Sequence, residues 1–182
     1  MYFRNKRGLG IGQVFVFIVA AITFAFIMIF GYRAIAGFLQ SGEEVAFVQF
    51  KTDLESSIKK LFTEFGSVRA ETFNLPSKYS QICFVDMDKP ANDHLCEFDQ
   101  VACTVWKNAK DYDSVDENVF LKPSAPVKIK VHKISINQGD NFGSGPEEKN
   151  FLCIPIKQGS FSLVFEGKGD RTEISPPAVP AS

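Results

Sequence analysis

The chain has 182 residues, 45% of them hydrophobic and 23% charged, with 20 basic against 21 acidic side chains. That composition excludes an intrinsically disordered chain, and no solenoid period is present. All 21 acidic residues lie after position 33 with 16 of the basic ones, so residues 34–182 carry a formal charge of −5; a nucleic-acid binder, whose phosphate contacts need clustered Lys and Arg, is excluded too.

Arg4, Lys6 and Arg7 are followed by 25 residues without a charge, and residues 14–30 are apolar at every position except Thr23. At ~1.5 Å per residue this run extends about 37 Å as a helix, enough for a hydrocarbon core of roughly 30 Å with some tilt. A core helix of a soluble protein would carry a polar stripe along such a length. A secretory signal peptide is the other alternative, since Ala34-Ile35-Ala36 offers small residues to a signal peptidase. Its apolar region is only ~7–15 residues, however, and Arg33 would sit just before the cut. The segment is therefore expected to span a lipid bilayer. The basic excess before it places the N-terminus in the cytoplasm and everything after Tyr32 outside.

A second helical pattern follows, with Val45, Phe47, Phe50, Leu54, Ile58, Leu61, Phe62 and Phe65 recurring at steps of three and four. Glu55 precedes Lys59 on the polar face, and Gly66 stands where a left-handed cap would end the helix. Gly31, Gly37 and Gly42, each costing ~1 kcal/mol relative to Ala, predict a bend or melted turn at the junction.

Beyond Gly66 the pattern becomes strand-like. Residues 81–85 read as a strand and residues 88–93 as a polar loop. A short helix is expected within 97–119, where Val101, Val105 and Ala109 have helical spacing; residues 111–118 are a turn-rich acidic run. Val127, Ile129 and Val131 alternate with lysines as in a half-buried strand, and the phase slips by one at His132 and Lys133 before Ile134 and Ile136. Residues 151–156 and 160–166, joined at Gln158-Gly159, predict a hairpin with Phe161, Leu163 and Phe165 on one face. After a turn at Gly167-Lys168-Gly169-Asp170, residues 171–174 form a last strand, and prolines in 176–182 imply a loose tail.

Cys83, Cys96, Cys103 and Cys153 form an even set on the side expected to be oxidising, which implies two disulfides. Of three connectivities, Cys83 with Cys153 is preferred because each lies in an apolar strand signal, leaving Cys96 with Cys103 as a local clip. A continuous helix would hold that second pair ~10 Å apart along its axis, too far for a bridge needing Cα atoms within about 7 Å. A zinc site joining the cysteines to His94 is the alternative, but paired C-x-x-C spacing is missing.

No catalytic pattern surrounds His94 or His132, no nucleophile elbow or phosphate loop occurs, and neither a cofactor nor a metal is assigned. Asp111-Tyr112-Asp113 with Asp116-Glu117 departs from a calcium loop at Val115 and at the sixth position, and reads as a solvated turn. The expected class is α+β: a long N-terminal helix, transmembrane then amphipathic, followed by a small antiparallel β-rich head. The boundaries are a basic leader 1–8, a transmembrane helix 9–33, an amphipathic helix 34–66, a head 67–175 and a tail 176–182.

The basic leader ending Lys6-Arg7-Gly8, the apolar segment directly after it and the long amphipathic helix together resemble a type IV pilin of the archaeal kind, over residues 1–30. The resemblance implies a leader peptidase that cuts after Gly8 to leave Leu9 first, and self-association of the N-terminal helices in a filament core with heads displayed outside. Gln13 replaces the acidic residue often found at the fifth mature position, and Gly10 and Gly12 loosen the helix start. The alternatives are a single-pass anchored domain that forms no filament, with a binding or structural task, and an envelope enzyme.

Overall fold

The computed structural model describes residues 11–91, 93–138 and 150–177. In chain order these form α1 (Ile11–Phe62), β1 (Val68–Asn74), β2 (Gln81–Val85), α2 (Leu95–Phe98), α3 (Gln100–Asn108), a 3₁₀ turn (Tyr112–Ser114), β3 (Val119–Lys122), β4 (Ile134–Ile136), β5 (Phe151–Pro155), β6 (Ser160–Gly167) and β7 (Thr172–Ser175). The fold is α+β, with a long N-terminal helix and antiparallel-rich sheets. The chain divides into two compact units, Met1–Glu44 and Val45–Ser182, with the boundary inside α1.

The reason for that boundary is packing. Phe47, Phe50, Leu54, Ile58 and Leu61, the helical stripe read from the sequence, are buried in one cluster with residues of both sheets. At ~1.5–3 kcal/mol for each fully buried large apolar side chain, these five contribute on the order of 10 kcal/mol, so residues 45–62 are part of the head. The helix stops at Phe62, and Phe65 is 80% exposed rather than on the buried face. Gly66 does adopt a positive φ of 78°, in the turn that follows. The helix also runs through Gly31, Gly37 and Gly42 with no melted turn. A glycine costs ~1 kcal/mol, less than the several hydrogen bonds that melting a turn would open.

One sheet has strand order β1-β6-β7-β4 and the other β3-β2-β5. Pairing is antiparallel except between β4 and β7, which run parallel. Ile82 and Phe84 of β2 face the main core, while Cys83 and Val85 face a second cluster around Leu95, Ala102 and Trp106. The three-stranded sheet is thus buried on both sides, as an unbroken apolar run implies.

Two strand expectations are corrected. Residues 151–155 and 160–167 do not form a hairpin: β5 pairs with β2 and β6 with β1 and β7, and only the bridge between Lys157 and Ser160 joins them. The turn chemistry is as read, with Gln158 and Gly159 both at positive φ, but it carries the chain from one sheet to the other. Residues 127–131 form no strand. Ile129 and Val131 are buried while Val127 is exposed, and Ile129 makes a single bridge to Val119. The main chain of Val131 is satisfied instead by the fully buried Asn118: Val131 N–H donates to Oδ1 at 2.8 Å, and Nδ2 donates to Val131 O at 3.2 Å. A side-chain amide here replaces a neighbouring strand.

The close approach of α1 to the four-stranded sheet depends on Gly167. A Cβ there would run into the carbonyl oxygens of Leu61 and Glu64. Thr172, also fully buried, donates its hydroxyl to Ile58 O at 2.9 Å and ties the end of the helix to β7.

Candidate functional site

The first candidate is the N-terminal part of α1, which is long and apolar enough to cross a membrane. Its large apolar side chains from Val14 to Phe30 are 43–69% exposed, so no face of this stretch is covered. An apolar surface of this extent needs lipid or protein around it. Thr23, the single polar residue among 14–30, turns its hydroxyl back to Val19 O at 3.0 Å and Ala20 O at 2.9 Å. It therefore presents no unsatisfied polar group to hydrocarbon. Lys6, Arg7, Gly8 and Leu9, expected from the sequence to direct leader processing, lie outside the described residues, as does part of the tail.

Both disulfides lie in the head. Cys83 and Cys153 are directly paired across β2 and β5. Cys96 and Cys103 are bonded with Cα atoms 5.0 Å apart, because the chain is not one continuous helix between them. Asp99 is extended at φ −147°, ψ 107°; it terminates α2 and caps α3 by accepting from Ala102 N–H at 2.9 Å. The buried residues of α3 are Ala102, Cys103 and Trp106, whereas Val101 is exposed, so its inward face is rotated from the one read at 101, 105 and 109. With all four sulfurs bonded, none is a free thiolate to ligate zinc beside His94.

Two polar groupings mark the head. A cleft of about 440 Å³ lies between α1 and β1, lined by Asp53, Ser56, Ser57 and Glu71 over a floor of Phe50 and Phe73. Glu71 accepts from the Ser57 hydroxyl at 2.5 Å. The second grouping fastens the turn after β2. Asp86 accepts from Asp88 N–H at 3.1 Å, Asp88 accepts from Tyr112 N–H at 3.1 Å, and Trp106 donates its indole N–H to Lys89 O at 3.0 Å. Burial, opposed by the Asp88 N–H, holds the Asp86 carboxyl above its ordinary range. Burial first, then Lys59 and Lys133, depresses the His132 imidazole, whose ring centroid lies 4.1 Å from that of Phe62. Asp111 caps the 3₁₀ turn by accepting from Ser114 N–H at 2.8 Å, the structural role of the acidic run. Among the described residues no three His, Cys, Asp or Glu side chains converge to hold a metal ion.

Sequence reading missed Asn118, Asp86 and the strands β1 and β3. In β1 the residues facing the helix are Arg69, Glu71 and Phe73, so the apolar alternation that reveals a half-buried strand is absent. No family model matches this chain, and neither a curated protein nor a solved structure matches it at a significant level.

Proposed function

We propose that this chain is a type IV pilin-like surface subunit: an N-terminal helix that resides in the membrane and packs in a filament core, and a disulfide-bonded head displayed outside. The observation that supports the reading most directly is the helical stretch of residues 14–30, apolar and uncovered on every side, in a chain whose head has a separate, complete core. Such a helix leaves lipid only when identical neighbours replace the lipid contacts, and its five phenylalanines supply large surfaces for that exchange. Arg4, Lys6 and Arg7 support a cytoplasmic N-terminus by the positive-inside rule, and the two disulfides fit an oxidising exterior for the head.

The test is N-terminal mass spectrometry on protein from its native cell, combined with shearing of surface filaments. A mature chain beginning at Leu9, recovered in the sheared fraction, is the expected result, and Gly8→Val should leave a heavier precursor. A chain beginning at Met1 that stays wholly with membranes after shearing refutes the filament role and leaves a permanent single-pass anchor.

A further inference from the structure

The strand β1 forms one edge of the four-stranded sheet. Its hydrogen bonds show which main-chain groups are already used. Leu75 N–H donates to Gly159 O at 2.7 Å, and Gly167 N–H donates to Ser67 O at 3.0 Å. With the unbroken one-to-one register between them, odd-numbered residues of β1 turn their N–H and C=O to β6. Val68, Ala70, Thr72 and Asn74 therefore aim theirs at the free edge. Their side chains are exposed and uncharged, and β1 contains no proline, lysine or bulge of the kind that blunts an edge strand. Charge lies on the other face, toward α1, at Arg69 and Glu71.

We infer that this edge pairs with β1 of a second copy of the chain, antiparallel and two-fold related about Ala70. In that register Ala70 meets its own counterpart and Val68 meets Thr72. Arg69 of each copy stands opposite Glu71 of the other, at the non-hydrogen-bonded positions where facing Cα atoms approach to about 4.5 Å. The register is selective. Centring the pair on Glu71 sets carboxylate against carboxylate, and centring it on Arg69 sets guanidinium against guanidinium. Both charged groups have capacity left. Arg69 gives Nη2 to Glu64 at 2.8 Å, leaving Nη1 and Nε, and Glu71 receives the Ser57 hydroxyl on Oε2, leaving Oε1. The contact is isologous and joins the two sheets into one. It concerns the head alone and holds whether the N-terminal helix anchors the chain or packs in a filament.

The four native cysteines are all bonded, so one introduced cysteine in the full-length membrane protein is its sole free thiol. Under mild oxidation Ala70→Cys should give a covalent dimer. Thr72→Cys alone should not, because its counterpart lies four positions along the strand, about 13 Å away. A mixture of Val68→Cys and Thr72→Cys chains should give the heterodimer. In the Ala70→Cys background Arg69→Glu and Glu71→Arg should each abolish the dimer, and the two together should restore it. Ala70→Pro removes an N–H that bonds nothing within its own sheet; it should abolish the Val68/Thr72 crosslink while emission from Trp106 remains that of a folded head. Equal dimer from Ala70→Cys and Thr72→Cys overturns the inference. So does a folded double charge variant without dimer, or a Val68/Thr72 crosslink that survives Ala70→Pro.

Discussion

Replacing Asn118 with alanine tests whether a single side-chain amide substitutes for a missing strand. Asn118 is 0% exposed and its two polar atoms serve the main chain of Val131. In Asn118→Ala the Val131 N–H is left buried without an acceptor, which costs about 1–3 kcal/mol, and the bond to Val131 O is lost at ~1 kcal/mol. That carbonyl still accepts the Tyr112 hydroxyl at 2.9 Å, so it is not orphaned. The sum is about 2–4 kcal/mol, equivalent to a fall in melting temperature of roughly 10 °C for a head of this size. Trp106 is the sole tryptophan and is buried in the head, so its emission during denaturation of the full chain in detergent follows the head alone. Asn108→Ala, which deletes an exposed bond to Thr104 O, is the control and should change stability by no more than ~0.5 kcal/mol. Equal shifts for the two variants would refute the account of Asn118 as the partner of this segment.

Gly167→Ala should destabilise the head by at least ~2–3 kcal/mol in the same assay, since the new methyl meets backbone carbonyls of Leu61 and Glu64 that cannot rotate away; a neutral variant would show that helix and sheet separate freely. The raised Asp86 carboxyl disfavours ionisation in the folded head, so its contribution is full below the unfolded-state range and is lost as pH rises through the folded value. Asp86→Asn, which retains the acceptor for Asp88 N–H, should raise stability at neutral pH and remove that slope, as pH-dependent unfolding would show. On chain-entropy grounds the Cys83–Cys153 bond, spanning 70 residues, stabilises by about 4 kcal/mol, and the Cys96–Cys103 bond, spanning 7, by about 2.5. Selective reduction followed by melting should rank them in that order, and an unchanged melting temperature on full reduction would contradict both.

The apolar run of residues 14–30 and the stripe from Phe47 to Leu61 are legible in the sequence because each is a local, periodic signal: one has no polar face, the other repeats at helical steps. The even cysteine set and the turns at Gln158-Gly159 and Gly167-Lys168-Gly169-Asp170 are equally local. The tertiary structure decides which partner each segment meets. The two-residue turn at Gln158-Gly159 suits a hairpin, yet β5 and β6 pair in different sheets, with β2 on one side and β1 and β7 on the other. Residues 127–131 have strand alternation, but the main chain of Ile129 and Val131 bonds Asn118, Val119 and Tyr112, and both side chains are buried in the main core cluster. Asp99 breaks the helix that would have kept Cys96 from Cys103. The edge of β1 is decided in the same way: its inward positions carry charges, Arg69 paired to Glu64 just after α1 and Glu71 bonded to Ser57 of α1, and only the assembled sheet shows which main-chain groups remain unused. Local periodicity sets which segments are helical and apolar, whereas strand pairing is a competition among distant segments that no single window of sequence contains.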